Sequence, residues 1–238
     1  MEITFDKYLK SSPGYHWLEF NNNPFKMGIF LKGRYQKVFN LLSEKFRNIH
    51  GLRILDAGCG DGCLTSILAK HEALSYGIDL DKDAIEFAKM KFKALRLQAE
   101  FKTASVYQSG YEDEFFDAIV SSDVIEHLQE PITFLLELTR ILKKDGIAII
   151  STPVRISEHI EDYNHVQEWF PDEFKELIRG VFPISEFRYS HPIFWYELYR
   201  HSLKLQFPLN LMSYLHNPFL EEKFWKYYCL QYALIKKV

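Results

Sequence analysis

The stretch Arg53–Lys70, RILDAGCGDGCLTSILAK, constrains this chain more than any other. A short apolar run, Ile54-Leu55, ends in Asp56; Gly58, Gly60 and Gly62 follow, and then Leu64, Ile67 and Leu68 recur at helical spacing. The pattern is a strand, a tight turn and a helix. Glycine at such a junction permits positive φ and lets a ligand lie against the backbone. The N–H groups that open the helix then face that ligand.

Two details narrow the ligand. The dinucleotide fingerprint GxGxxG sets a pyrophosphate on the helix N-terminus. Here the spacing is GxGxG, and Asp56 lies two residues before the first glycine. A carboxylate there repels a pyrophosphate and suits a ligand with cationic groups, such as the ammonium and sulfonium of S-adenosylmethionine. Further on, YGIDLDKD at Tyr76–Asp83 is a second apolar strand ending in Asp79. An acid at that tip can accept from both hydroxyls of a ribose. Asp79 points to adenosine, and Asp56 weighs against an NAD-dependent oxidoreductase.

With these motifs in place the chain resembles the class I S-adenosylmethionine-dependent methyltransferases. DAGCGDG matches their first motif and IDLD their acidic second-strand tip. FDAIVSSDVIEHLQEP matches the fourth strand and its loop, and LKKDGIAIISTP the turn into the fifth. The loop elements are similar to those of ubiquinone-pathway O-methyltransferases. The resemblance spans about Leu52 to Ser190. It implies an α/β fold with a doubly wound, mostly parallel seven-stranded sheet, and S-adenosylmethionine as cofactor. The residues it assigns to that cofactor are Asp56, Gly58, Cys59, Gly60, Asp79, Leu80, Ser105, Val106 and Ser122. One position departs from the family pattern, because Ser105 stands where an acid usually accepts from the adenine amino group. A hydroxyl can still accept, with the backbone of Val106 beside it.

Bulk properties fit a chain of this class. The 238 residues suffice for one α/β domain with additions. A net charge of -3 with both signs interspersed gives no phosphate-binding face, which argues against a nucleic-acid partner. The start, MEITFDKYLKSSPGYHW, shows no signal-peptide pattern, and no apolar run reaches membrane-spanning length. Three cysteines, Cys59, Cys63 and Cys229, read as reduced thiols of a cytoplasmic protein. Peripheral membrane association stays open, as does the oligomeric state.

Four segments are expected: an N-terminal arm and helix over 1–50, the cofactor-binding core over 51–190, an insertion over 191–226, and a last strand over 227–238. In the arm, Tyr15, His16 and Trp17 either line the site or only pack the arm onto the core. Periodicity places a helix between Phe25 and Phe46 and another from Lys82 to about Lys93, capped by Asp81. Later strands fall at Ala99–Thr103, Phe115–Ser121, Ile147–Ser151 and Pro183–Tyr189, with helices opening at Pro131 and Pro171. The alternation of strands and helices means a parallel sheet. The insertion crowds Phe194, Trp195, Tyr196, Tyr199, Phe207, Met212, Tyr214, Phe219, Phe224 and Trp225 into one stretch, broken by Pro192, Pro208 and Pro218. Long insertions in compact domains tend to be functional, so a lid or an apolar acceptor pocket is expected here. The alternatives are an extra helical layer or a dimer surface.

For catalysis, a methyl acceptor must be positioned and relieved of its proton, a task suited to histidine. His127 follows the fourth strand and His165 the fifth, both on the carboxyl edge of the sheet. Asp123, Glu126, His127 and His165 also resemble the acid-x-x-Glu-His plus distant His set that holds a divalent cation, Mg²⁺ or Mn²⁺, in small-RNA 2′-O-methyltransferases; the acid-x-x-Glu-His part recurs in the ubiquinone-pathway enzymes. The expected activity is O-methylation of a small or lipid-like acceptor. A sugar or glycan precursor is the alternative acceptor, and a cofactor-binding scaffold without catalysis is the alternative of another class.

Overall fold

The structure, a computed structural model, describes residues 13–21, 23–160, 162–222 and 226–238. Seven strands form one sheet in the order β3-β2-β1-β4-β5-β7-β6. They are β1 (Arg53–Ala57), β2 (Leu74–Asp79), β3 (Glu100–Thr103), β4 (Phe116–Ser122), β5 (Leu142–Pro153), β6 (Ser185–Pro192) and β7 (Tyr228–Lys236). Pairings from β3 through β5 are parallel, and β7 is antiparallel to both β5 and β6. Helices α1 (Tyr15–Glu19), α2 (Ile29–Lys45), α3 (Cys63–Lys70), α4 (Lys82–Leu95), α5 (Pro131–Ile141) and α6 (Pro171–Val181) flank it. The doubly wound architecture expected from the alternating pattern is the one observed.

Alternation along the central strands builds a core on each face. Leu55, Ile119, Ala148 and Ile150 point to one side, where Phe134, Leu138, Phe174 and Ile178 of α5 and α6 cover them. Ile54, Ala118, Val120, Ile147 and Ile149 point to the other and meet Val38, Leu41, Leu42, Leu64 and Leu68 of α2 and α3. Each fully buried aliphatic or aromatic side chain contributes about 1.5–3 kcal/mol of transfer free energy. Strands buried on both faces therefore read as continuous apolar runs.

Element ends follow local chemistry. Asp81 caps α4, its carboxylate accepting from Ala84 N at 2.8 Å. Pro131 and Pro171 open α5 and α6, where a missing N–H costs nothing. Asp145-Gly146, in the stretch that resembles the turn into the fifth strand, lies within β5, whose pairing starts earlier than the apolar run suggests. Leu142 already pairs with Phe116, and the register shifts before Ala118.

The insertion folds as two helices, α7 (Ile193–His201) and α8 (Leu203–Met212), and a 3-10 turn at Pro218–Leu220. Pro192 precedes α7 and Pro218 opens the 3-10 turn, as breaks should, but α8 continues through Pro208. That expected break is absent. These pieces share a small core, in which Leu209 and Phe219 bury against Met27 and Ile29 of the α2 entry and are flanked by Trp195, Tyr199 and Met212. Two residues of the aromatic cluster, Phe224 and Trp225, lie outside the described residues, as do residues 1–12 of the arm.

Candidate functional site

Parallel register brings the carboxyl ends of β1, β2 and β4 to one edge, where the candidate residues collect. Ala57 pairs with Ile78, and Asp56 with Val120. The glycine turn after β1 is tied to β2, since Gly58 N and Cys59 N both donate to Ile78 O, at 2.8 and 2.9 Å. Gly58 has φ +81, and a Cβ there would meet Val124 Cγ2 at 2.4 Å. Only glycine lets the turn pass this close to the segment after β4.

Asp79 ends β2 with both carboxylate oxygens engaged locally. Oδ2 accepts from Gly60 N at 2.8 Å and Oδ1 from Asp81 N at 2.9 Å. These two bonds fix the carboxylate at the tip of β2, the place from which the resemblance expects it to accept from a ribose. Beside it Leu80 is 58% exposed and Val106 is buried. Ser105 Oγ accepts from Tyr107 N at 3.2 Å, shaping the turn that presents Val106. Ser122, at the tip of β4, shares a 3.0 Å hydrogen bond with Ser151 Oγ.

Asp56 is placed differently from the sequence expectation of an anion facing a ligand. It is 2% exposed, and Thr65 Oγ1 donates to its Oδ2 at 2.7 Å. Burial pushes its carboxyl up to about 7, Thr65 opposes that rise, and the negative charges of Asp79 and Asp61 add to it. Burial also raises the thiols of Cys59 and Cys63 well above the usual cysteine range. Both are small, buried residues of the core.

The arm docks on this edge. Trp17 Nε1 donates to Asp61 O at 2.9 Å and His16 N to Asp61 Oδ2 at 3.2 Å. His16 and Trp17 thus fasten α1 to the glycine turn. Tyr15 lies among Arg34, Asp61 and Asp123, with burial raising its hydroxyl well above the usual tyrosine range.

Past β4, a 3-10 turn at Ile125–His127 brings Glu126 and His127 beside His165. One ligand atom from each of the three lies within 4.8 Å of the others. The two imidazoles meet edge to face, 5.0 Å between centroids. Each ring is oriented through Nδ1. His127 Nδ1 lies 3.0 Å from Asn164 O, a pure acceptor, so Nδ1 carries the proton and Nε2 the lone pair. His165 Nδ1 lies 2.5 Å from Oε1 of buried Glu168. Glu126 is also buried, and Thr152 Oγ1 donates to its Oε2 at 3.1 Å. Histidines held in this way by a carbonyl and a carboxylate are suited to act as base or as metal ligand.

Of the four residues grouped in the sequence, Asp123 stands apart. Its Oδ2 forms an ion pair with Arg34 of α2, and its Oδ1 accepts from Ser151 Oγ at 2.8 Å. Backbone strain accompanies this placement, with φ +55 at Asp123. Its carboxylate is engaged by Arg34 and Ser151 instead. Neither Arg34 nor Glu168 was singled out from the sequence. The spacing His165-x-x-Glu168 offered a signal for the second, whereas nothing local marks the first.

Residues 55–150 match the family model described as a methyltransferase domain. Similar curated proteins are named ubiquinone biosynthesis O-methyltransferase. That of Maricaulis maris is 32% identical over 165 residues, covering 66% of this chain and 64% of its own length. That of Pelagibacter ubique is 28% identical, covering 63% of each, and that of Haemophilus ducreyi is 26% identical, covering 79% and 78%. The chain thus spans less than two thirds of the Maricaulis and Pelagibacter proteins. Among solved structures, phosphoethanolamine N-methyltransferase 2 of Haemonchus contortus with S-adenosyl-L-methionine aligns at TM-score 0.69 and 16% identity, over 99% of this chain and 60% of that one. The [4+2]-cyclase SpnF aligns at 0.63 and 18% identity, over 84% and 80%. At these identities the structures establish the fold, which is the Rossmann-like methyltransferase fold. Residues 55–150 are thus similar to a methyltransferase domain.

Proposed function

We propose that the protein is an S-adenosylmethionine-dependent methyltransferase that methylates an oxygen of a small, lipid-like acceptor. The observation that carries this reading is one edge of the sheet. It joins a glycine turn and a ribose acceptor, Asp79, to a pair of imidazoles oriented through Nδ1. The names of the curated relatives, ubiquinone biosynthesis O-methyltransferases, support an oxygen acceptor on a lipid-like molecule. A neighbour named as a cyclase shows that this fold alone does not dictate methyl transfer, so the site has to carry the argument.

The residues present fit the cofactor. Asp79 would accept from the ribose hydroxyls, and Ser105 with the Val106 backbone would border the adenine. Gly58 and Gly60 leave room for a close backbone approach. When bound, the cofactor supplies a methyl group on an activated sulfonium. This chain has to hold the acceptor in line and take its proton. His127 Nε2 carries the lone pair for that step, while Asn164 O keeps the ring in the required tautomer. His165, backed by Glu168, is placed to share the proton or to act as base itself.

A divalent cation at Glu126, His127 and His165 is a second reading, favoured by the convergence of their ligand atoms within 4.8 Å. Mixed carboxylate and imidazole donors suit Mg²⁺ or Mn²⁺. Asp123 belongs to Arg34 and is not part of that set.

The test is transfer of labelled methyl from S-adenosylmethionine to small-molecule extracts, with and without a chelator. Label in an apolar methyl ether supports the reading, and label only in sugars shifts it to a glycan precursor. Tight cofactor binding without any transferred label would favour a scaffold. Loss of turnover on chelation, restored by Mg²⁺ or Mn²⁺, would favour the cation.

A further inference from the structure

A second cleft lies at the far end of α3 from the glycine turn. It has a volume of about 540 Å³ and sits between α2, the end of α3 and the residues just after α8. The helix between the two places has eight residues, which at 1.5 Å per residue span about 12 Å. None of the cofactor candidates lines the cleft.

Its chemistry is one-sided. Lys32, Lys70 and His71 bring basic groups, Gln36 and Asn40 bring amides, and no carboxylate is among the described residues that line it. The acid adjacent in sequence, Glu72, faces His50 at 3.9 Å. Lys32 is half-buried, and burial lowers its ammonium below the usual lysine range. Aromatic surface accompanies these charges. Phe39 stacks on the His71 ring at 4.1 Å and 28°, and the Lys32 ammonium lies 5.9 Å from the Tyr214 ring centroid. The volume falls in the range of small-molecule sites. Basic groups and amides recognise a phosphate or carboxylate, and rings beside them recognise a planar group.

We infer that this cleft is a binding site for a planar organic anion, distinct from the site on the strand edge. Lys70 and His71 hold the anionic group and Phe39 the ring. Lys32, Gln36 and Asn40 recur every fourth residue along α2, so the ligand lies along one face of the helix that also carries Arg34 to Asp123.

Phenyl phosphate, benzoate and inorganic phosphate are titrated calorimetrically into the full chain, at low and high salt, and again into Lys70→Glu, His71→Ala and Asp79→Ala. Lys70 and His71 are exposed, so these variants keep the fold, which a melting curve verifies. The expected result is one site for phenyl phosphate or benzoate, at least fivefold tighter than inorganic phosphate and weakened by salt. Lys70→Glu should loosen it about tenfold, the size of one charge-assisted hydrogen bond. Asp79→Ala should leave it within twofold. Equal affinity for inorganic phosphate would mean that the rings contribute nothing and would overturn the inference. So would binding that survives Lys70→Glu but is lost in Asp79→Ala, since the anion would then enter the strand-edge site.

Discussion

Asp79 and Asp123 occupy matching places, one at the tip of β2 and the other just past the tip of β4, and they are held by opposite means. Asp79 is satisfied by its own neighbourhood, through Gly60 N and Asp81 N. Asp123 is held by a guanidinium 89 residues away and by Ser151 across the sheet. The first arrangement fixes a carboxylate at the strand tip through bonds within its own neighbourhood. The second consumes the carboxylate in positioning the β4 loop. On the proposed function, the comparison assigns binding to the β2 side and chemistry to the β4 side, through Glu126, His127 and His165.

The largest expected effect falls on the β4 side. His127→Ala or His165→Ala should lower turnover by about 10²–10⁴, the usual contribution of a general base, with cofactor affinity little changed. Steady-state kinetics beside calorimetry separate the two, and a rate within tenfold of wild type in both variants would remove the base. Next comes the ion pair. Arg34 and Asp123 side chains are 13% and 10% exposed, so breaking the pair leaves a nearly buried charge. Arg34→Met should cost about 3–5 kcal/mol of stability, and Arg34→Met with Asp123→Asn should recover most of it. Urea unfolding of the single and double variants checks this, and additive losses would mean that the two residues act independently.

Asp56 makes a pH prediction. Its carboxyl is raised from 3.8 to about 7 in the fold, so between these values the native state holds a proton that the unfolded state has released. Stability from this group therefore falls as pH rises from about 4 to about 7, by at most about 4 kcal/mol for a shift of three units. Asp56→Asn should flatten that slope, and an unchanged slope would place the proton elsewhere. The smallest effect is on the β2 side. Asp79→Ala should weaken cofactor binding by about 1.5–3 kcal/mol, roughly ten- to a hundredfold, with the stability of α4 kept by the separate cap at Asp81.

What could be read from the sequence tracks the same contrast. The glycine turn, the Asp79 tip, the Asp81 cap and the proline-opened helices are local arrangements, each set by residues within a few positions of one another. The alternation of strands and helices likewise marked the parallel sheet, whose central strands β1, β4 and β5 bury successive residues on opposite sides. Long-range partners left no such mark. Arg34 looked like one more basic residue on an amphipathic helix, and only the packing of α2 across the sheet brings it to Asp123. Asp56 was legible as an acid before the turn but not as a buried one, since its burial depends on Thr65 and on the helix above. Pro208 misled for a related reason, because α8 tolerates it within a layer whose contacts come from Met27 and Ile29.

The most direct test is a calorimetric titration of S-adenosylhomocysteine, S-adenosylmethionine and NAD into the wild-type chain and Asp79→Ala. The account predicts one site for each of the first two, no measurable NAD binding, and at least tenfold weaker binding in the variant. Tight NAD binding with none for S-adenosylmethionine, or full affinity in Asp79→Ala, would contradict it.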